Sequence, residues 1–240
     1  MTAELEDIWV YLATSPLLHL TLTLAAYVAG DWVYEKSGRL PICNPVLLAV
    51  VMLVGLLVLT ETDYHTYFEG AQFVHFLLGP ATVALAVPLY RQFEKVRESA
   101  AAVVVSLIAG SITAIVSAVL VAWALNAAPQ TLVSLAPKSV TAPVAMGISE
   151  KLQGLPSLTA VLVITTGVLG ATIAGTVFRA VRIRDDRARG FALGVTSHGI
   201  GTARALQMSE VAGAFSALAM GLNALATALL LPLLYRWFVG

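Results

Sequence analysis

Apolar residues along this chain come in long runs that short polar segments interrupt. The longest runs cover residues 45–59, 100–125, 158–177 and 211–234. These runs approach or exceed the roughly 20 apolar residues that a helix needs to cross a bilayer about 30 Å thick. The alternation of apolar and polar residues that is typical of strands is absent. The pattern therefore predicts an all-α, polytopic membrane protein.

The composition supports this class, because 58% of the 240 residues are hydrophobic and only 12% are charged. The formal net charge is zero, so the charge gives no indication of nucleic acid binding. A lone cysteine, Cys43, excludes an intrachain disulfide, and the four histidines lack metal-ligand spacing. We therefore expect no cofactor and no bound metal. No arrangement of nucleophile, base and oxyanion donors indicates an enzyme.

The distribution of Lys and Arg predicts the orientation, since short loops rich in these residues stay cytoplasmic. Three segments are basic, 36–39, 91–97 and 179–189, and the acidic segment 60–70 lies between the first two. The N-terminus would then lie outside and Arg236 near the cytoplasm. About seven transmembrane helices follow from this count, at residues 8–30, 40–60, 68–90, 99–126, 158–178, 190–207 and 211–237.

The segment "SLAPKSVTAPVAMGISEKLQGLP", residues 134–156, has to start and finish on the same face, because the next helix must end at the cytoplasmic arginines. Pro137 and Pro143 each remove a backbone donor, and Pro143 disfavours helix at Ala142. Irregular backbone at membrane depth persists only where it is buried in protein or lines a wet cavity. We predict a broken or re-entrant element at 131–151, beside a polar cavity. The alternatives are an interfacial loop and an eighth full crossing.

Two short segments resemble each other, "HFLLGPATVAL" at 75–85 and "HGIGTARAL" at 198–206, and they would cross in opposite directions. An inverted-topology repeat produces this pattern, with interrupted helices that hold substrate near the bilayer midplane. The halves would be residues 40–127 and 131–238 of a single domain. A chance similarity between two glycine-rich helices is the alternative.

The first group of candidate binding residues lies at the broken element and comprises Lys138, Ser139 and Thr141. Hydroxyls, free backbone amides and the positive end of a helix dipole suit a carboxylate. The alternative for Lys138 is that it extends to the lipid headgroups. Thr82, beside Gly79 and Pro80, is the candidate from the first half.

The second group lies on the glycine-rich segment 190–210 and comprises His198, Gly199, Gly201, Thr202 and Arg204. On a helix, Gly194, His198 and Thr202 share one face, and the glycines at 199 and 201 can unwind it. Gly190 and Gly194 have the small-xxx-small spacing of close helix contacts.

Arg204 has two interpretations, because an arginine at this depth costs about 2.5 to 3.5 kcal/mol on insertion scales. It either pairs with Glu210 or Glu150, or it binds an anionic substrate through a bidentate guanidinium. His198 has packing as its alternative role. His198 and Glu150 are also the candidates for proton coupling, since a histidine titrates near neutral pH.

Several long motifs carry a resemblance to a known family. Residues 137–171, "PKSVTAPVAMGISEKLQGLPSLTAVLVITTGVLGA", and residues 188–233, which begin "ARGFALGVTSHGIGTARALQMSE", resemble the LrgB/CidB family of bacterial membrane proteins, which includes YohK. "NPVLLAV" at 44–50 and "YFEGAQFVHFLLGPATVALAVPLYRQ" at 67–92 are similar to earlier motifs of that family. The chain departs from it at Gln153-Gly154, where the family usually has Gly-Gly, and at Ala174-Gly175, where it has Gly-Pro.

The resemblance implies a multi-pass protein of the bacterial cytoplasmic membrane. Bacterial members were named for holin-like and antiholin-like effects on murein hydrolase activity and autolysis, and some are linked to pyruvate uptake. A plant plastidial member, with an LrgB-type domain fused to an LrgA-type domain, translocates glycolate and glycerate. A separate LrgA/CidA-like partner is implied, and we expect a homo-oligomer, with a dimer as the simplest case.

The sequence and the resemblance together predict a secondary transporter of small monocarboxylates of the glycolate, glycerate, lactate or pyruvate class. It would work by alternating access, with an elevator-like motion and proton coupling as further expectations. The alternative is a holin-like or antiholin-like membrane protein that modulates murein hydrolase activity. A carrier needs a charge-bearing site within one chain, whereas an oligomeric pore needs little internal polar chemistry.

Overall fold

A computed structural model of the chain describes residues 16–38, 43–77, 80 and 83–239. All regular secondary structure in this part of the chain is helical. The chain divides into two compact units, residues 1–84 and 85–240, here called the first and the second unit. Thr82 lies outside the described residues.

The first unit contains three described helices: α1 (Pro16–Lys36), α2 (Pro45–Leu59) and α3 (Tyr64–Phe76). The Asn44 side chain starts α2, because its Oδ1 accepts hydrogen bonds from the backbone N–H of Val46 at 2.9 Å and of Leu47 at 3.3 Å. The hydroxyls of Thr23 on α1 and Tyr67 on α3 lie 2.9 Å apart. This hydrogen bond holds α1 against α3.

The predicted helix over 68–90 is wrong as a continuous element. Helix α3 ends at Phe76, and residues 86–98 form two separate short helices, α4 (Ala86–Arg91) and α5 (Phe93–Glu98). The described residues that interrupt the predicted helix are Leu77 and Leu85, which lie in turns, whereas Pro80 is itself helical.

The remaining helices of the second unit follow α4 and α5 in chain order. They are α6 (Ala100–Ala124), α7 (Pro129–Leu135), α8 (Ala142–Lys151), α9 (Pro156–Ala180), α10 (Asp186–Met208) and α11 (Glu210–Val239). Among the described residues, α6, α9 and positions 210–236 of α11 are long and apolar enough to cross a membrane. The chain is therefore a membrane protein whose described part is all-helical. The number of crossings and the repeat halves 40–127 and 131–238 stay predictions.

The break predicted at Pro137 and Pro143 is present. Helix α7 ends at Leu135, α8 begins at Ala142, and the residues between them are not helical. The chain folds back there, since Ala136 and Ile148 pack in one apolar cluster. We call residues 129–151 the first hairpin and residues 136–141 its tip.

Buried hydroxyls fix the first hairpin to the start of α9. The Thr159 hydroxyl lies 3.0 Å from the carbonyl oxygen of Ser134 and 2.8 Å from the hydroxyl of Ser149. The Ser134 hydroxyl in turn accepts a hydrogen bond from the backbone N–H of Leu155 at 2.8 Å. Ser134, Ser149 and Thr159 are all fully buried, so the two arms and α9 share one polar cluster.

Helix α10 is not straight, because His198 interrupts it with a φ of 42° and a ψ of −130°. The Ser209 hydroxyl donates to Asp186 Oδ2 at 2.9 Å, although a straight helix would separate these residues by about 34 Å. Both arms also reach the same residue of α11. A Cβ at Gly194 would overlap the Ser216 carbonyl, and the hydroxyls of Thr202 and Ser216 lie 3.0 Å apart.

Residues 186–208 therefore form a second hairpin whose tip is His198, and the prediction that 190–207 crosses the membrane is wrong. The strained dihedral angles of one residue reverse the chain direction there. Glu210 consequently lies at the same end as Asp186, and Arg91 pairs with Glu210 at 3.6 Å. Helix α11 then runs in the direction opposite to the predicted one, so Arg236 lies at the end away from the basic segments 91–97 and 179–189.

The close contacts predicted for Gly190 and Gly194 are present, on one arm of the second hairpin. A Cβ at Gly190 would overlap the backbone of Ala212, and a Cβ at Gly194 would lie 2.7 Å from the Cβ of Ala219. Glycine is needed at both positions because the arm touches the α11 backbone directly.

The two hairpins enter the second unit from opposite ends of α9, and their tips meet beside Val163. Val140 and Ala145 of the first hairpin pack against Val163 in one buried cluster. From the other end, His198 Nε2 lies 3.0 Å from the Val163 carbonyl oxygen. A Cβ at Gly167 would lie 2.7 Å from His198 Cε1, so this glycine makes room for the imidazole.

Candidate functional site

A cavity of about 1080 Å³ lies within the second unit. Its walls are α6, α9 and the first arm of the second hairpin, residues 186–197, and Lys138 and Ser139 of the first tip close its inner end. The opposite end, here called the mouth, is lined by Glu98, Ser99, Asp185 and Arg187. The cavity therefore leads from the base of the second hairpin to the tip of the first.

An ion pair shapes the mouth. Arg187 Nη2 donates to Asp185 Oδ2 at 2.9 Å, and Arg187 Nη1 donates to Ser99 Oγ at 3.4 Å. Hydrogen bonding from the Arg187 side chain lowers the pKa of the Asp185 carboxyl from its ordinary value. These contacts bring the start of α6 and the start of α10 together, in agreement with the common cytoplasmic side predicted for the basic segments 91–97 and 179–189.

The α6 wall carries hydroxyls on one face. Ser106, Thr113 and Ser117 line the cavity, at spacings of seven and four residues that place them on the same side of a helix. The lined part of α6 runs from Ala102 to Ser117, which is about 22 Å at 1.5 Å per residue. The wall opposite is largely apolar, with Leu169 and Ile173 of α9. A small solute with both polar and apolar parts fits such a lining.

Lys138 is the cation at the inner end. It is partly buried, and its Nζ donates to Ser139 Oγ at 3.2 Å. No carboxylate in the described part of the chain forms an ion pair with it. A partly buried ammonium without a counter-ion attracts an anion, because the low local dielectric strengthens their interaction.

The second hairpin brings Thr196 and Ser197 to the cavity beside the inner end. Ser197 is fully buried against α9, where a Cβ at Gly170 would overlap its hydroxyl. Thr196 is exposed to the cavity, and its hydroxyl donates to the Ala192 carbonyl at 2.7 Å. The two tips thus place hydroxyls from opposed hairpins near one lysine.

The structure brings Lys138 and Ser139 to the cavity but places the other predicted residues of the first hairpin differently. Thr141 is the residue immediately before α8, and its side chain makes no capping hydrogen bond. Glu150 is exposed near the end of α8. Neither residue lines the cavity.

His198, Gly199, Gly201 and Thr202 lie behind the cavity wall, in the turn of the second hairpin and the start of its second arm. The Thr202 hydroxyl donates to the His198 carbonyl at 2.9 Å, and a Cβ at Gly201 would lie 2.5 Å from the Leu193 carbonyl oxygen. These contacts hold the two arms together. The four residues therefore lie in the turn and not in the lining of this cavity.

Arg204 does not line the cavity. It lies on the second arm of the second hairpin, and its Nη1 donates to Gln207 Oε1 at 3.1 Å. The expected convergence of Arg204 and Lys138 on one cavity is therefore absent, because the fold-back at His198 turns the second arm away from it. Glu210, one of the two partners predicted for Arg204, pairs with Arg91 instead.

Sequence reasoning missed the hydroxyl-bearing face of α6 and the buried Asn223 on α11. Ser106, Thr113 and Ser117 share a helical face in an otherwise apolar run, which is a detectable signal. Asn223 is a single amide in an apolar helix, and such residues usually face the protein interior.

The sequence is similar to those of several known bacterial proteins. The model of the LrgB-like family matches residues 23–237. YwbG of Bacillus subtilis is 38% identical over 91% of this chain and 96% of its own length, and YxaC of the same organism is 34% identical over 92% and 96%. The holin-like protein CidB of Staphylococcus aureus is 31% identical over 92% and 96%. No solved structure matches the chain at a significant level.

Proposed function

The chain belongs to the LrgB-like family, and from this premise we propose that it is a secondary carrier of small monocarboxylates of the glycolate, glycerate, lactate or pyruvate class. The chain is a multi-pass membrane protein with bacterial relatives, and several of these relatives carry a holin-like name. We place it in the bacterial cytoplasmic membrane.

One observation carries the proposal: Lys138, without a carboxylate partner among the described residues, faces a cavity of about 1080 Å³ inside a single chain. The carboxylate of the substrate binds Lys138 and the hydroxyl of Ser139. The Thr196 hydroxyl, which donates to the Ala192 carbonyl, accepts a hydrogen bond from a hydroxyl of the substrate. The hydroxyls of α6 accept from such a hydroxyl or donate to a keto oxygen. A single cation at the inner end selects a single negative charge, since a second carboxylate would stay unpaired in a largely apolar space.

The opposed hairpins supply the alternating access. In carriers of this kind, discontinuous elements from two sides hold the substrate near the bilayer midplane. Here both tips meet beside Val163, and the described cavity leads to them from the end that carries Asp185 and Arg187. An elevator-like motion of the hairpins with α9 and α11 would open the site to the other face. Of the two candidates for proton coupling, His198 lies at a tip, whereas Glu150 is exposed.

A second candidate function is a holin-like or antiholin-like role in murein hydrolase regulation. The similarity to the holin-like protein CidB, which this chain matches over 96% of that protein's length, favours it. We also propose homo-oligomers and an LrgA/CidA-like partner, on the family resemblance alone. A pore of several copies would pass unrelated solutes of similar size, whereas a carrier would saturate and discriminate.

Sealed proteoliposomes distinguish the two functions. The carrier account predicts saturable uptake of labelled glycolate or pyruvate, competition by other small monocarboxylates, and retention of an encapsulated small dye. Leakage of the dye at the same rate as the organic acid, with no saturation, would contradict the carrier and favour the pore. Empty liposomes and an inactive, heat-treated protein serve as controls.

A further inference from the structure

Asn223 of α11 lies where the two hairpins meet, and it is 1% exposed. Its Nδ2 donates to the Ser139 carbonyl at 3.2 Å and to the Val195 carbonyl at 3.0 Å. Its Oδ1 accepts from the Ser111 hydroxyl at 2.6 Å. One side-chain amide therefore joins the first tip, the second hairpin and α6, from the middle of α11.

Both carbonyls that Asn223 reaches lack a helical partner for a structural reason. Ser139 lies in the non-helical tip of the first hairpin. The carbonyl of Val195 would bond to the N–H of Gly199 in a continuous helix, but the chain leaves helical geometry at His198 between them. Buried carbonyls without a donor are costly, so a donor is required at both places.

The orientation of the amide follows from its surroundings. Two carbonyl oxygens can only accept, so the group between them must be the NH₂ of Asn223, and Oδ1 faces the one neighbour that can donate, the Ser111 hydroxyl. All three contacts are satisfied at once in this orientation alone. An aspartate of the same shape keeps the contact with Ser111 and loses both donors.

We propose that Asn223 is the positioning residue that locks the two hairpin tips to each other and so sets the place of Lys138 and Ser139 in the cavity. Asn223 does not line the cavity and does not touch the substrate. It acts through the backbone of Ser139, which is next to Lys138 in the chain, and through Val195, which is next to Thr196. The effect of Asn223 on transport rests on the proposed carrier function. The hydrogen bonds that position the two hairpins do not depend on it.

Cysteine accessibility tests the geometry without any transport assay. In a background with Cys43→Ser, the probe Ser139→Cys starts from a buried position on the first tip, since Ser139 is 6% exposed. Adding Asn223→Asp should raise its reaction rate with a water-soluble maleimide by about tenfold, because the hydrogen bond to the Ser139 carbonyl in the first tip and the one to Val195 in the second hairpin are both lost. The probe Ser106→Cys, on the cavity face of α6, should react at an unchanged rate.

Ser111→Ala is the matched control, because it removes the bond to Oδ1 and leaves both carbonyl bonds in place. It should leave the labelling of Ser139→Cys near the rate seen with Asn223 and Ser111 intact. If Asn223→Asp does not yield folded protein in detergent, Asn223→Ser retains one donor and should give a smaller increase. An unchanged labelling rate in either folded variant would overturn the proposal.

Transport adds a second readout. Asn223→Asp and Asn223→Ser should raise the KM for the labelled monocarboxylate more than they lower the maximal rate, since the binding residues are displaced. A fall in the maximal rate alone, with KM unchanged, would contradict a positioning role. If the intact protein shows no saturable flux, the carrier proposal fails, while the labelling result still decides the role of Asn223.

Discussion

Replacing Gly190 by alanine should separate the second hairpin from α11. A Cβ at this position would lie 2.7 Å from the Cα and carbonyl carbon of Ala212 and closer still to its oxygen. Ordinary van der Waals contact begins near 3.4 Å, so the two backbones must move apart by at least about 0.7 Å. The obstacle is backbone on a long helix, which cannot rotate away as a flexible side chain can.

The expected cost is about 1 to 3 kcal/mol, as for other overpacked interiors. At roughly 2 to 4 °C per kcal/mol for a chain of this size, the Tm of Gly190→Ala in detergent should fall by roughly 2 to 12 °C. Gly221→Ala on α11 is the matched control, because a Cβ there meets nothing within 4 Å. Alanine forms helix better than glycine, so this control should melt at or slightly above the unmodified protein.

Thermal unfolding in detergent, followed by light scattering and by fluorescence, checks both variants at once. If Gly190→Ala melts as high as Gly221→Ala, the close backbone contact between the second hairpin and α11 is wrong. One of the contacts from which we infer the fold-back at His198 would then be excluded.

Three further outcomes are expected from the same assay. Thr159→Val should lower the free energy of unfolding by about 1 to 3 kcal/mol, because it leaves buried hydrogen-bond partners unpaired. Thr165→Val is the control, because its exposed hydroxyl donates to a carbonyl of its own helix, and it should change the free energy by no more than about 0.5 kcal/mol. Equal losses in the two variants would contradict the buried hydroxyl cluster. Gln153 has a φ of 62°, so Gln153→Gly should raise stability by up to about 1 kcal/mol, and a loss would refute the left-handed turn. Arg187 lowers the pKa of the Asp185 carboxyl, so their ion pair stabilises the protein above the ordinary carboxyl pKa of about 3.9 and loses this effect as the pH falls below it. The Tm should therefore drop more between about pH 5 and pH 3 in the unmodified protein than in Asp185→Asn. Parallel curves of Tm against pH for the two proteins would exclude the ion pair as the cause.

Features that depend on residues close together in the sequence could be predicted from the sequence. Apolar runs predicted the helices that the structure has at Pro45–Leu59, Ala100–Ala124 and Pro156–Ala180. The break between α7 and α8 followed from Pro137 and Pro143, which cannot supply helical donors. The spacing of Gly190 and Gly194 likewise predicted a close contact, though not the partner helix.

The reversal at His198 depends on contacts far away in the chain. A non-glycine residue at a φ of 42° is unfavourable by itself, and it persists here because the Val163 carbonyl holds the imidazole and Gly167 leaves room for it. No local pattern distinguishes this segment from a glycine-rich crossing helix. Counting it as a crossing reversed the direction predicted for α11 and put Arg204 in the wrong place.

Of the residues that line the cavity, the sequence indicated Lys138 and Ser139 but not the hydroxyls of α6. Lys138 stands out in an apolar chain, so the sequence indicated it directly. Asn223 is visible as a residue but its role is not, because its partners Ser111, Ser139 and Val195 are 112, 84 and 28 residues away. The residues next to Asn223 in the sequence therefore give no indication that its side chain joins two distant breaks in the helical backbone.

The central claim is that Lys138 binds the carboxylate of a transported organic acid, and the KM for labelled glycolate or pyruvate in Lys138→Met proteoliposomes tests it most directly. Loss of a charge-assisted hydrogen bond predicts a KM about 10- to 100-fold higher, with partial recovery in Lys138→Arg. Lys151→Met, an exposed lysine at the end of α8, is the control and should keep the original KM. Equal KM values for Lys138→Met and Lys151→Met, in folded protein with saturable uptake, would contradict the claim.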